Sequence, residues 1–294
     1  MPNARIALLV SLCAAAALAA PIKRNTFKLS NEPLAAPNPG PTVLVHLGKG
    51  FKKDGPLNLI VHFHGIWNCV SVTAESKPGK CKPGTNSQGH NLIASVDSAK
   101  VNAALVLVEV AFNSSNTNPG KLAQDGFFAS MIDELLPKIG TLAGKSYSRD
   151  NLGKLFLTSH SGGYAALCES LAHGGLPVSG VLLFDSLYPS KKPGAKDIGC
   201  FSKYVQYAKD NADSGRLGVV YTAGGGTLAN SQQLSADVKA LVPAGKYWDE
   251  RKKADAQILK SPELGRPFVF VKTGVIHDES VRKYFAPMLS KLGL

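Results

Sequence analysis

The feature that most constrains this chain is the run LFLTSHSGGY at residues 155–164. An apolar, strand-forming segment ends abruptly in Ser159-His160-Ser161-Gly162-Gly163, and helix-forming residues follow over 163–173. Small side chains at 159, 162 and 163 permit a backbone reversal too sharp for bulkier neighbours, with Ser161 at its tip. A strand that feeds a helix through so tight a turn needs a sheet with helices packed on its faces.

The rest of the sequence agrees with that demand. Continuous Val/Leu/Ile/Phe runs fall at 42–47, 58–64, 103–112, 154–159, 178–184, 217–222 and 267–272. Runs that do not alternate with polar residues belong to strands covered on both faces. Helical stretches lie between them at 87–102, 124–139, 163–173, 228–241 and 279–292. The clearest carries Phe127, Phe128, Met131, Ile132, Leu135 and Leu136 at helical spacing. This β-α alternation predicts an open, mostly parallel sheet with helices on both faces. No repeat or low-complexity linker divides it, so 42–294 reads as one domain. The connection 66–89 is rich in Lys, Pro and Gly and reads as a structureless loop at the rim of a cleft.

The first residues have a different character. Arg5, the apolar run 6–18 and the small-x-small motif Ala17-Leu18-Ala19 make 1–19 a signal peptide. Residues 20–41, rich in Pro, Asn and Ala, read as an exposed leader. Export places Cys69, Cys81, Cys168 and Cys200 in an oxidising compartment, where an even number implies two disulfides. Three pairings are open, and the sequence-local one, 69 with 81 and 168 with 200, is preferred. No C-x-x-C occurs, which argues against zinc. The net charge is +12, but the lysines are scattered and do not alternate with aromatics. That pattern suits a solvated basic face, not a nucleic-acid groove. No later segment is apolar and long enough to anchor the chain in a membrane.

Ser161 on a strand-to-helix turn is the arrangement of an exposed nucleophile. Upstream, the strand at 58–64 ends in His64-Gly65. With both features the chain resembles the α/β-hydrolase superfamily, in its secreted esterase and lipase branch. The resemblance implies an oxyanion hole at Gly162 and at Gly65 or Ile66, with Ile66 the better match. It also implies the chain order nucleophile, acid, base at the ends of successive strands. Asp185 and His277 stand in those places.

Two departures matter. Ser159 replaces the usual first glycine of the turn. The strand at 217–222, after which many members carry the acid, runs into Gly224-Gly225-Gly226 with no carboxylate before Asp237. The acid is therefore assigned to Asp185, an arrangement also known in the superfamily. His173 lies at the far end of the helix after the turn, and Asp278 reads as a helix N-cap. Trp67, Tyr188 and His160 are candidate substrate contacts, although Trp67 and Tyr188 suit core or rim packing equally. His62 and His64 form an H-x-H pair without an aspartate at useful spacing, so no metal and no cofactor is expected. The short stretch 187–200 leaves no room for a large lid domain. The expected activity is hydrolysis of small-molecule or polymeric carboxylic esters through an acyl-enzyme. A peptidase or amidase on the same scaffold, and a non-catalytic binding protein, remain as rivals.

Overall fold

Neighbouring side chains along the strands enter two separate cores. In β3 (Leu57–Phe63), Leu59, Val61 and Phe63 pack on one face and Ile60 on the other, all without exposed surface. This is why the strand runs are continuously apolar rather than alternating. The computed structural model describes residues 23–34, 39–112, 114, 115, 117–188, 200–224 and 226–294. The signal-peptide reading of 1–19, and most of the 187–200 stretch read as too short for a lid, lie outside them.

Among the described residues nine strands form one sheet. Around β3 stand β1 (Lys23–Phe27), β2 (Val43–Leu47), β4 (Ala104–Val108), β5 (Leu152–His160), β6 (Gly180–Phe184), β7 (Arg216–Tyr221), β8 (Tyr247–Glu250) and β9 (Phe268–Lys272). Their order is β1-β2-β4-β3-β5-β6-β7-β9-β8. The pairs β1/β2 and β2/β4 are antiparallel and the others parallel.

One face carries α3 (Phe127–Ala143), α4 (Tyr164–His173), α5 (Cys200–Asp210) and α6 (Leu228–Leu241). The other carries α1 (Val70–Ala74), α2 (Leu92–Ala99), α7 (Asp255–Lys260) and α8 (His277–Leu289). Helix α3 buries the apolar stripe expected of it, including Met131, Leu135 and Ile139. It ends where Gly144 adopts φ +69, a conformation that glycine reaches without strain. Each fully buried Phe or Leu contributes about 1.5–3 kcal/mol, so Phe156→Ala, which also leaves a cavity, costs about 3–5 kcal/mol.

Several elements escaped the sequence reading. Lys23–Phe27, inside the stretch read as an exposed leader, pairs its backbone with β2 although Arg24, Asn25 and Thr26 stay exposed. Strand β8 is short and polar. Both are edge strands, whose charged side chains discourage further pairing and whose few apolar residues, Phe27, Tyr247 and Trp248, form no continuous run. Helix α2 starts only at Leu92, because Asn91 turns the backbone to φ +60. The connection 66–89 is not structureless: it contains α1, a bridge between Gly79 and Ser87, and the Cys69–Cys81 disulfide. A second disulfide joins Cys168 in α4 to Cys200 at the start of α5. Among the described residues, no helix is long and apolar enough to cross a membrane.

Candidate active site

Because β3, β5, β6, β7 and β9 run parallel, their C-terminal ends share one edge of the sheet. Side chains placed just beyond parallel strands converge there. Ser161 follows β5 with φ +52, and Asp185 follows β6 with φ +46. Left-handed backbone at a non-glycine residue costs about 1–3 kcal/mol and persists only where surroundings enforce it. Here Ser186 Oγ donates to the Ser161 carbonyl at 2.8 Å and lies 2.8 Å from Ser159 Oγ. Ser159, the departure from the expected glycine, thus helps to brace the turn. The glycines admit close backbone approach. A Cβ on Gly163 would stand 2.2 Å from the Phe63 carbonyl oxygen, and one on Gly65 would stand 2.7 Å from Ser161 Cβ.

His277 Nδ1–H donates to Asp185 Oδ2 at 2.7 Å. Asp185 has no exposed surface and also accepts from Thr222 N at 3.0 Å, Thr222 Oγ1 at 2.8 Å and Thr227 Oγ1. Burial alone would raise its pKa, but the hydrogen bonds from His277, Thr227 and Thr222 outweigh it and hold the carboxyl below the ordinary value. An ionised Asp185 keeps the His277 proton on Nδ1, so that Nε2 presents a lone pair. Ser161, His277, Gly65, Ile66, Trp67 and Tyr188 line one cavity of about 350 Å³. Among the described residues no hydrogen bond joins the Ser161 hydroxyl to the His277 ring. Such bonds are often open before substrate arrives. Tyr188 lines the same cavity, and its phenol is pushed up to about 12, first by burial and then by the Asp185 charge.

A second imidazole–carboxylate pair lies behind the first. His64 and Glu109, each 1% exposed, are joined Nε2 to Oε1 at 2.6 Å. His64 Nδ1–H donates to the Gly65 carbonyl at 2.7 Å. Burial opposes protonation of His64, but the Glu109 charge and hydrogen bond, with the Gly65 carbonyl, raise its pKa overall. A trans peptide directs its N–H opposite to its C=O. Holding the Gly65 carbonyl therefore aims the Ile66 N–H the other way. A Cβ on Gly162 would lie 3.4 Å from Ile66 N, so the two amides are neighbours.

The remaining predicted residues divide. Trp67 is 54% exposed at the cavity, with φ +58, its N–H bonded to Ser114 O and its carbonyl to Ser87 Oγ. His160 is only 2% exposed; its ring packs 4.5 Å from that of His277 and Nε2–H donates to the His277 carbonyl at 3.3 Å. It supports His277 from within. His62 bonds Thr158 Oγ1 at 2.9 Å inside the sheet. Asp278 is not the helix cap: Ile276 occupies that position, and Asp278 points its carboxylate toward His90 and His160. Glu109, Thr222, Thr227 and His90 were missed. The one local signal was Glu109, a carboxylate directly after a buried apolar run. A larger groove of about 510 Å³ between α4 and α5 gathers no comparable set of groups.

No family model matches the chain, and no curated protein matches its sequence. Solved structures do match its backbone. A feruloyl esterase module from Clostridium thermocellum, complexed with sinapinate, aligns with a TM-score of 0.52 at 11% identity, over 92% of this chain and 87% of that one. A ferulic acid esterase aligns with a TM-score of 0.53 at 14% identity, over 85% of this chain and 91% of that one. At such identities the likeness is one of fold.

Proposed function

We propose that this chain, which has the α/β-hydrolase fold, is an exported serine hydrolase of carboxylic esters. The observation that carries the reading is the 2.7 Å bond between His277 and the buried Asp185, in one cavity with a serine held at φ +52. In the proposed reaction Ser161 Oγ attacks the ester carbonyl while His277 Nε2 takes its proton. Asp185 balances the imidazolium. The N–H groups of Gly162 and Ile66 receive the charge that develops on the carbonyl oxygen. The tetrahedral species collapses, the alcohol leaves with the proton from His277, and water repeats the sequence to release the acid.

The exposed Trp67 indole and the half-buried Tyr188 ring offer flat apolar surfaces beside Ser161. Together with the feruloyl and ferulic acid esterases of like fold, they make aromatic acid esters the first substrates to try. Export is supported by the signal-like residues 1–19 and by two disulfides, which persist in oxidising compartments. The reading takes 42–294 as one catalytic domain.

The test is labelling with a fluorophosphonate probe, followed by rates on p-nitrophenyl acetate, methyl ferulate and a peptide anilide. Wild type should label and cleave the esters, and Ser161→Ala should lose labelling and about 10⁶ in turnover. Labelling that survives in Ser161→Ala, or absence of turnover on every ester, would overturn the proposal.

A further inference from the structure

Three side chains that the proposed acyl transfer does not consume meet beside His277. They are His90 ahead of α2, His160 at the end of β5 and Asp278 in the first turn of α8. Asp278 Oδ1 lies 3.7 Å from His90 Nε2 and 4.0 Å from His160 Nε2, and the two rings stand edge to face at 4.5 Å. We propose that these residues bind one divalent first-row transition ion of the zinc type.

The donor set argues for that class of ion. Two imidazole nitrogens and one carboxylate oxygen suit zinc and its neighbours, whereas calcium and magnesium want oxygen throughout. Tetrahedral coordination with bonds of about 2.0–2.1 Å sets ligand atoms about 3.3–3.4 Å apart. The two carboxylate–imidazole separations need to shrink by only about half an ångström, and all three ligand atoms already lie within 4.8 Å of one another, within reach of side-chain adjustment.

A second observation is independent of the spacing. His90 is 1% exposed, yet neither of its ring nitrogens has a hydrogen-bond partner, and His160 Nδ1 also lacks one. Buried imidazole nitrogens without partners are costly to leave as they are, and a bound cation would satisfy His90 Nε2. Access exists, because the Asp278 side chain is 41% exposed and lines the cavity. Arg282 is the nearby positive charge, and Glu279 and the Gly89 carbonyl hold its guanidinium. With three protein ligands, a fourth position remains for water. On binding, His160 Nε2 exchanges its bond to the His277 carbonyl for the metal.

The test titrates chelator-treated full-length protein with cobalt chloride, followed by visible absorption, then displaces the cobalt with zinc. Wild type should bind one ion per chain. Asp278→Asn and His90→Gln should each weaken binding by at least ~10-fold. His173→Ala, which removes the exposed imidazole beside Asp125 and Glu169, should bind as wild type does. Should the buried His90→Gln variant lose its circular dichroism, Asp278→Asn at a partly exposed position carries the test. Absence of binding by wild type, unchanged binding by Asp278→Asn, or loss confined to His173→Ala would overturn the proposal. The readout does not depend on turnover, and Ser161→Ala should bind cobalt as well as wild type does.

Discussion

Replacing Glu109 by Gln should slow ester hydrolysis while leaving substrate binding almost intact. Glu109 accepts from His64 Nε2 at 2.6 Å, from the Phe112 N–H at 2.9 Å and from the Val70 N–H at 3.1 Å. A glutamine of the same shape keeps one acceptor oxygen but removes the charge and turns the other site into a donor. His64, whose protonated form the carboxylate favours, then gives up a proton more readily and with it one of its two donated hydrogen bonds. If Nδ1 is the nitrogen left bare, it faces the Gly65 carbonyl lone pair to lone pair, and the Gly65–Ile66 peptide tilts. A hydrogen bond to a charged group is worth about 1.5–3 kcal/mol, which bounds the loss of stability. Removing a whole oxyanion donor costs about 10²–10³ in kcat, so a tilted one should cost about 10- to 100-fold. The amide matters most to the charge that develops in the transition state, so KM should stay within a factor of about two.

Steady-state kinetics on p-nitrophenyl acetate, with thermal unfolding in the same buffer, separates the two effects. The pH dependence adds a signature that a purely structural role lacks. A raised imidazole is protonated below its folded pKa and loses its proton as pH rises through it. The wild-type rate should therefore fall on that alkaline side, and the fall should move to lower pH in Glu109→Gln. A variant with wild-type kcat at every pH but a lower unfolding midpoint would refute the reasoning and leave Glu109 as a prop of the fold alone.

The other predictions are simpler. Thr227→Val removes one donor from the buried Asp185 and should cost about 1–2 kcal/mol of stability with a fall in kcat, read by denaturant unfolding and kinetics; an unchanged kcat would show that Thr222 and His277 suffice to hold the carboxylate. Gly163→Ala forces a Cβ to within 2.2 Å of the Phe63 carbonyl oxygen, and should lower expression and destabilise by more than about 3 kcal/mol in urea unfolding. Replacing Cys69 and Cys81 together by Ser opens a loop with a sequence separation of 12 and should cost about 2–3 kcal/mol, measured against a reduced control. In metal-free protein, stability should peak near pH ~6.5, the imidazole reference value. Below it the unfolded chain binds more protons, because burial pushes His62, His90 and His160 down, so stability falls by up to ~1.4 kcal/mol per pH unit and group. Above it the stabilisation from the raised His64 is lost as pH rises through its folded pKa. A stability that rises steadily from pH 5 to 8 would contradict this assignment.

Much of the architecture was legible in the chain, because its determinants are local. The Ser161 turn needs small residues within a few positions of one another, and buried strands need unbroken apolar runs; both patterns appear along the sequence. Ser161, Asp185 and His277 could be proposed together because each follows such a run, and parallel strands carry whatever follows them to a common edge. The polar contacts were not legible. Glu109 against His64, Thr227 against Asp185, and Asp278 beside His90 and His160 pair residues that are distant in the chain and leave no periodic trace. The edge strands β1 and β8 escaped for a related reason: they are joined to a neighbour by main-chain hydrogen bonds, which form almost whatever the side chains, and only Phe27, Tyr247 and Trp248 pack against the core. Hydrophobic burial is additive and written residue by residue, so the sequence alone determined the layers. Hydrogen bonds and charges act between particular atoms within a few ångströms, so only the folded sheet decided which side chains surround Ser161 and His277.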